Sequence, residues 1–206
     1  MTVPLVIDVG GESLPGDLTI PADAVGIIVF AHGSGSSRHS PRNIAVARTL
    51  QDYRFGTLLF DLLTEGEDDR RFDVDLLTRR LLHVLDDLTR RDSTANLPVG
   101  LFGASTGAAA AVGAAAAWPE EVRAVVARGG RPDLAAAALP RVTAPTLMIV
   151  GGKDPEVQRL NEEAAARMGG PAEVRIVPGA THLFEEQGTL EAAAEMAATW
   201  FTTHLI

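Results

Sequence analysis

The chain has 206 residues, 46% of them hydrophobic and 22% charged, with a formal net charge of −9 and no cysteine. That length suits a single domain built on a sheet covered on both faces. The acidic balance argues against a nucleic-acid partner, which needs a clustered basic face, and the missing cysteine excludes disulfides, thiolate metal sites and a cysteine nucleophile.

The N-terminal stretch MTVPLVIDVGGESLPG has no basic region ahead of a long apolar segment, so no signal peptide is expected. Residues 5–9 and 17–20 flank a Gly-Gly turn region and predict an antiparallel hairpin. Beyond it, short apolar, partly β-branched runs recur at 27–31, 57–62, 99–102, 124–127, 146–150 and 174–177. Runs of this kind read as strands buried on both faces of a parallel sheet.

Helical patterns fill the gaps. Ser40 followed by Pro41 is an N-cap with proline at the first helical position, opening a helix to about residue 52. The run from Glu65 to Asp69 reads as a solvated loop, and Leu62-Leu63 beside it as an exposed apolar pair open to a partner. Between 73 and 91, Leu77, Leu81, Val84, Leu85 and Leu88 share one helical face, with Asp75–Arg79 and Asp86–Arg90 one turn apart. Further helices are predicted at 106–117, 155–168 and 189–203. The Ala-rich segment 108–117 is too short to cross a bilayer, so a soluble cytoplasmic protein without a membrane partner is expected. No repeat or linker interrupts the strand–helix alternation, which predicts one open α/β domain over 1–206. In such sheets ligands bind beyond the carboxyl ends of the strands, so catalytic groups should follow strand-like runs.

One serine meets that condition in the right context. After the run 99–102 comes Gly103-Ala104-Ser105-Thr106-Gly107 and then a small-residue helix, a G-x-S-x-G elbow between strand and helix. The nucleophile of such an elbow sits in strained backbone, and Gly103 and Gly107 remove the side chains that would collide around it. Serine needs a base to take its proton. Of five histidines, His83 lies on a polar helix face, His204 near the chain end, and His39 in a Ser-rich loop. His182 follows the last strand-like run and is the expected base. A carboxylate must hold that histidine. Asp154 follows the run 146–150 and completes the order serine, acid, histidine; Glu156 and Asp133 are the alternatives. The loop His32-Gly33-Ser34-Gly35-Ser36-Ser37 follows the first parallel strand, which assigns the oxyanion hole to the backbone N–H groups of Ser34 and Thr106. His32 is expected to prop that loop. The same loop lacks the lysine and spacing of a phosphate-binding loop.

With HGSGSS at 32–37, GASTG at 103–107, GGKDP at 151–155 and GATH at 179–182, the chain resembles the dienelactone-hydrolase-like branch of the α/β-hydrolase superfamily. It looks especially like small bacterial hydrolase domains that occur fused to phosphoribosyltransferases, with no such partner expected within these residues. The resemblance implies an α/β-hydrolase fold: a mostly parallel sheet of about eight strands, helices on both faces, and no metal or organic cofactor. Dienelactone hydrolases proper use a cysteine nucleophile, so Ser105 favours ordinary carboxylic-ester hydrolysis.

Only about sixteen residues, 128–143, separate two successive strands where many relatives insert a cap. That leaves room for one short helix and no substantial cap domain, so the site should be open and suited to short acyl esters. Arg128 and Arg131 follow the strand and are candidate contacts to an anionic substrate. The expected activity is a serine esterase acting on a small-molecule ester. A thioesterase, amidase or perhydrolase on the same triad, or a non-catalytic binding module, are the rival readings, and the oligomeric state is open.

Overall fold

The computed structural model describes residues 2–206. Its strands form because each apolar run can hide both faces at once. β3 (Gly26–Ala31), β4 (Phe55–Phe60) and β7 (Thr146–Gly151) are buried along their whole length. β5 (Val99–Ala104), β6 (Val122–Arg128) and β8 (Ala172–Val177) extend them into a parallel sheet. The hairpin β1 (Thr2–Asp8) and β2 (Ser13–Thr19) adds an antiparallel edge, giving the order β1-β2-β4-β3-β5-β6-β7-β8. Its turn closes where the Asp8 carboxylate accepts the N–H groups of Gly10 and Gly11 at 2.9 and 3.2 Å.

Alternation along the strands builds two cores. Val29, Leu101 and Val125 face α2 (Val74–Thr89), α3 (Gly107–Ala117) and α4 (Pro155–Ala165). Phe30, Phe102 and Val126 face α1 (Pro41–Asp52) and α5 (Thr189–Leu205). Burial on both sides, with a period of two along each strand, holds the sheet between its helical layers. The predicted caps form as expected: the Ser40 side chain accepts from the Asn43 N–H, and Pro41 opens α1.

Three local expectations are corrected. Leu62 is 1% exposed and belongs to the core, because β4 ends at Phe60 and the chain turns inward. The 65–69 run is not wholly solvated: Glu67 accepts the buried Arg80 guanidinium at 2.7 Å, and Glu12 pairs with the same group. Asp75 and Arg79, like Asp86 and Arg90, lie one turn apart on α2 as expected, and Asp86 and Arg90 form an ion pair. Between β6 and β7 the chain makes two 3-10 turns, Pro132–Ala135 and Leu139–Arg141, in place of a short α-helix, and among the described residues no cap is inserted there. Among the described residues no helix is long and apolar enough to cross a membrane.

Candidate active site

The turn between β5 and α3 puts Ser105 in left-handed backbone, with φ of 51°. Such a conformation costs a non-glycine residue energy and persists only where its surroundings over-determine it. Three backbone bonds do so here. The Ser105 N–H donates to Arg128 O at 3.2 Å, and its carbonyl accepts from Ala108 at 3.1 Å and Arg131 at 3.0 Å. The flanking glycines are steric necessities. A Cβ on Gly107 would lie 2.1 Å from Ala31 O, and one on Gly103 would lie 2.5 Å from the Ala108 Cα.

Long-range folding brings three sequence-predicted groups together. Ser105 Oγ lies 3.3 Å from His182 Nε2, and His182 Nδ1 lies 2.8 Å from Asp154 Oδ2. A carboxylate can only accept, so Nδ1 donates to Asp154, and in the neutral imidazole this leaves the Nε2 lone pair for the serine hydroxyl. Asp154 follows β7 and also N-caps α4, where Oδ1 accepts from the Val157 N–H at 3.5 Å. The histidine loop after β8 is pinned to the acid loop by Lys153 N–H to Ala180 O at 2.9 Å. Glu186 accepts the Thr181 N–H at 3.0 Å, and that bond holds its carboxyl below the usual range.

The alternatives lie elsewhere. Glu156 is exposed in the first turn of α4, and Asp133 is engaged by Arg131 through two bonds of 2.9 Å. His83 is exposed, the His204 ring lies tilted against Trp200 with centroids 4.2 Å apart, and His39 sits exposed on the rim of a neighbouring groove. His32 is 6% exposed, donates from Nδ1 to Gly33 O at 2.9 Å and accepts the Leu62 N–H on Nε2 at 2.9 Å. Burial pushes its pKa down, against the opposing pull of the Gly33 carbonyl and Asp61, which suits a neutral prop joining two loops.

At the expected oxyanion hole, the Thr106 N–H has no acceptor among the described residues. The Ser34 N–H does have one: it donates to Thr106 Oγ1 at 2.8 Å. An oxyanion using both amides must therefore displace the threonine hydroxyl as acceptor. The loop itself is tied down at Arg38, whose N–H donates to Asp61 Oδ1 at 2.7 Å and whose guanidinium pairs with Asp61 and Asp17.

Two spaces adjoin this loop. A recess of about 260 Å³ is lined by Ser105, His182, Arg128, Asn43 and Leu183, and an open groove of about 770 Å³ runs past Ser34, Leu63 and Thr106. Arg128 thus faces the serine, whereas Arg131 lines neither space and is held by Asp133. Asn43, 2% exposed on α1, is a wall residue that sequence reasoning missed; a polar residue in a first helical turn carries no signal of facing a site. Among the described residues no cluster of three His, Asp or Glu side chains could hold a metal ion.

The model of the dienelactone hydrolase family matches residues 16–205. Two Mycobacterium tuberculosis proteins that carry phosphoribosyl transferase in their names are 56% identical over 199 residues, 95% of this chain and 45% of theirs. The chain thus spans about half the length of the curated relatives it matches. Among solved structures, a dienelactone hydrolase from Anabaena variabilis is 50% identical, with a TM-score of 0.97 over 100% of this chain and 99% of that one. The esterase domain of a Rhodothermus marinus protein shares the fold with a TM-score of 0.78 at 19% identity, covering 100% of both chains.

Proposed function

The chain belongs to the dienelactone hydrolase family, and from that premise we propose that it is a serine hydrolase cleaving carboxylic esters through an acyl-enzyme. The observation that carries this reading is the hydrogen-bond chain from Ser105 through His182 to Asp154.

In this reading Ser105 Oγ attacks the ester carbonyl as its proton passes to His182 Nε2. Asp154 keeps the imidazole in the Nδ1–H tautomer and stabilises the imidazolium that forms. Negative charge on the carbonyl oxygen is taken up by the Thr106 N–H and by the Ser34 N–H once it leaves Thr106 Oγ1. A preorganised donor, such as the Thr106 N–H, is worth about 10²–10³ in rate. The imidazolium protonates the departing alcohol. Water then enters, gives its proton to His182, and releases the acid from Ser105. The small recess beside Ser105 favours short acyl groups, and the open groove leaves room for the alcohol to depart.

The test is hydrolysis of p-nitrophenyl esters of increasing acyl length by the protein and its Ser105→Ala variant. Turnover that peaks at short chains and disappears in the variant supports the reading. If the unmodified protein hydrolyses no ester and Ser105 resists a fluorophosphonate, the fold serves a binding role instead.

A further inference from the structure

A sheet that does not close has two edges, and each edge strand carries backbone N–H and C=O groups with nothing to bond on one side. Here the edges are β1 and β8, and they differ. The Val9 N–H donates to Glu12 O across the hairpin, so with the register of Asp8 to Ser13 the odd-numbered residues of β1 face β2 and the even-numbered ones face outward. Pro4 falls in the middle of the outward set and has no N–H, which interrupts any ladder added on that side.

β8 carries no such block. Its sequence, Ala172-Glu173-Val174-Arg175-Ile176-Val177, contains no proline, glycine or lysine, and it pairs with β7 without a bulge. The Thr146 N–H donates to Pro171 O and the Gly152 N–H to Val177 O, each at 2.9 Å, so the odd-numbered residues of β8 face β7. The N–H and C=O groups of Ala172, Val174 and Ile176 therefore point to the open side, where they have no partner among the described residues.

The charges of this strand select what can pair with it. Glu173 and Arg175 bond to each other at 2.8 and 3.1 Å, which leaves the edge locally neutral in a chain of net charge −9. Set antiparallel to itself about a two-fold axis at Val174, the strand is its own complement. Val174 meets Val174 of the second copy as a hydrogen-bonded pair, and Ala172 meets Ile176. Glu173 then stands opposite Arg175 in a non-hydrogen-bonded pair, where cross-strand side chains come closest. Moving the axis to residue 173 or 175 sets like charges opposite each other, and an axis between residues turns the free N–H groups away from their acceptors. One register satisfies both the ladder and the charges.

We propose that β8 pairs antiparallel with β8 of a second copy, joining the two sheets into one. Strands on either side of the axis run in opposite directions, so the two Ser105 sites open at opposite ends of the joined sheet. The pairing is therefore independent of the serine-esterase reading.

Sedimentation velocity on the protein, on Arg175→Glu and on Glu173→Arg, each over a series up to about 1 mM, tests the proposal. The unmodified protein is expected to pass from monomer to dimer. Each single reversal sets like charges opposite at both symmetry-related positions and should weaken association roughly tenfold or more. An equimolar mixture of the two variants restores opposite charges across the axis and should dimerise again. Amide exchange at Val174 should slow as the dimer fills. Arg175 also lies 5.8 Å from the Trp200 ring centroid, so thermal unfolding checks that each variant is folded. If a reversal does not fold, Ala172→Pro removes one outward N–H, spares the ladder to β7 and should weaken the dimer likewise. A protein that stays monomeric throughout the series overturns the proposal. So does a dimer that both reversals leave intact, or a mixture that remains monomeric.

Discussion

Asp154 is shared between His182 and a helix: Oδ2 meets His182 Nδ1 at 2.8 Å while Oδ1 caps α4 at the Val157 N–H. Carboxylate and carboxamide cap helices about equally well, but only the carboxylate fixes the histidine tautomer and stabilises its charge. Asp154→Asn should therefore cost about 10³- to 10⁴-fold in ester turnover with little change in melting temperature. Asp154→Ala should lose the same turnover and about 1 kcal/mol of stability as well. Equal stabilities for the two variants would show that the cap contributes nothing.

Ser105 should be worth more to catalysis than to the fold. Ser105→Ala is expected to reduce ester hydrolysis by at least about 10⁴-fold. Because φ at this position is 51°, Ser105→Gly should unfold at a higher temperature than Ser105→Ala, by about 1 kcal/mol of stability. Parallel melting curves read the difference. The strain argument fails if alanine proves the more stable of the two.

Gly107 has no such latitude. A Cβ there meets two backbone oxygens, Ala31 O at 2.1 Å and His32 O at 2.5 Å, and neither can move without shifting β3 or its following loop. Gly107→Ala should cost more than about 3 kcal/mol and lower the yield of soluble protein. A variant melting within a few degrees of the parent would show that the helix can retreat from the strand.

His32 makes stability depend on pH. Its folded pKa lies below the ordinary 6.5, chiefly through burial, so above 6.5 it is neutral in both states and its bonds to Gly33 and Leu62 are intact. As pH falls through 6.5 the unfolded chain takes up a proton that the folded chain resists. Stability is then lost by at most about 1.4 kcal/mol per pH unit until the folded pKa is passed. His32→Gln can keep one donor and one acceptor but cannot titrate. Its melting temperature should change less between pH 7 and roughly 5 than that of the parent, and matching slopes would rule out His32 as the source.

Much of the site is written in local pattern. The elbow at 103–107 needs glycines where backbone crosses backbone, the cap at Ser40-Pro41 needs only its own turn, and the period-two alternation of Val29 and Phe30 is a property of any strand buried on both faces. These features arise within a few residues, so spacing and residue type reveal them. Leu62 and Glu67 could not be read that way. Whether Leu62 faces water depends on where β4 stops, and whether Glu67 is solvated depends on Arg80 arriving from α2. The same holds for the Ser34 N–H, whose acceptor Thr106 Oγ1 lies 72 residues away in the chain. The sequence by itself determined the order of strands and helices and the identity of the nucleophile, base and acid as candidates, because local sterics and chain order constrain them. Tertiary structure decided which charges distant in the chain are matched. Arg128 appears in the sequence as one of two arginines after a strand, and only packing against Asn43 and Phe184 buries its guanidinium with Nε and Nη1 lacking an acceptor among the described residues.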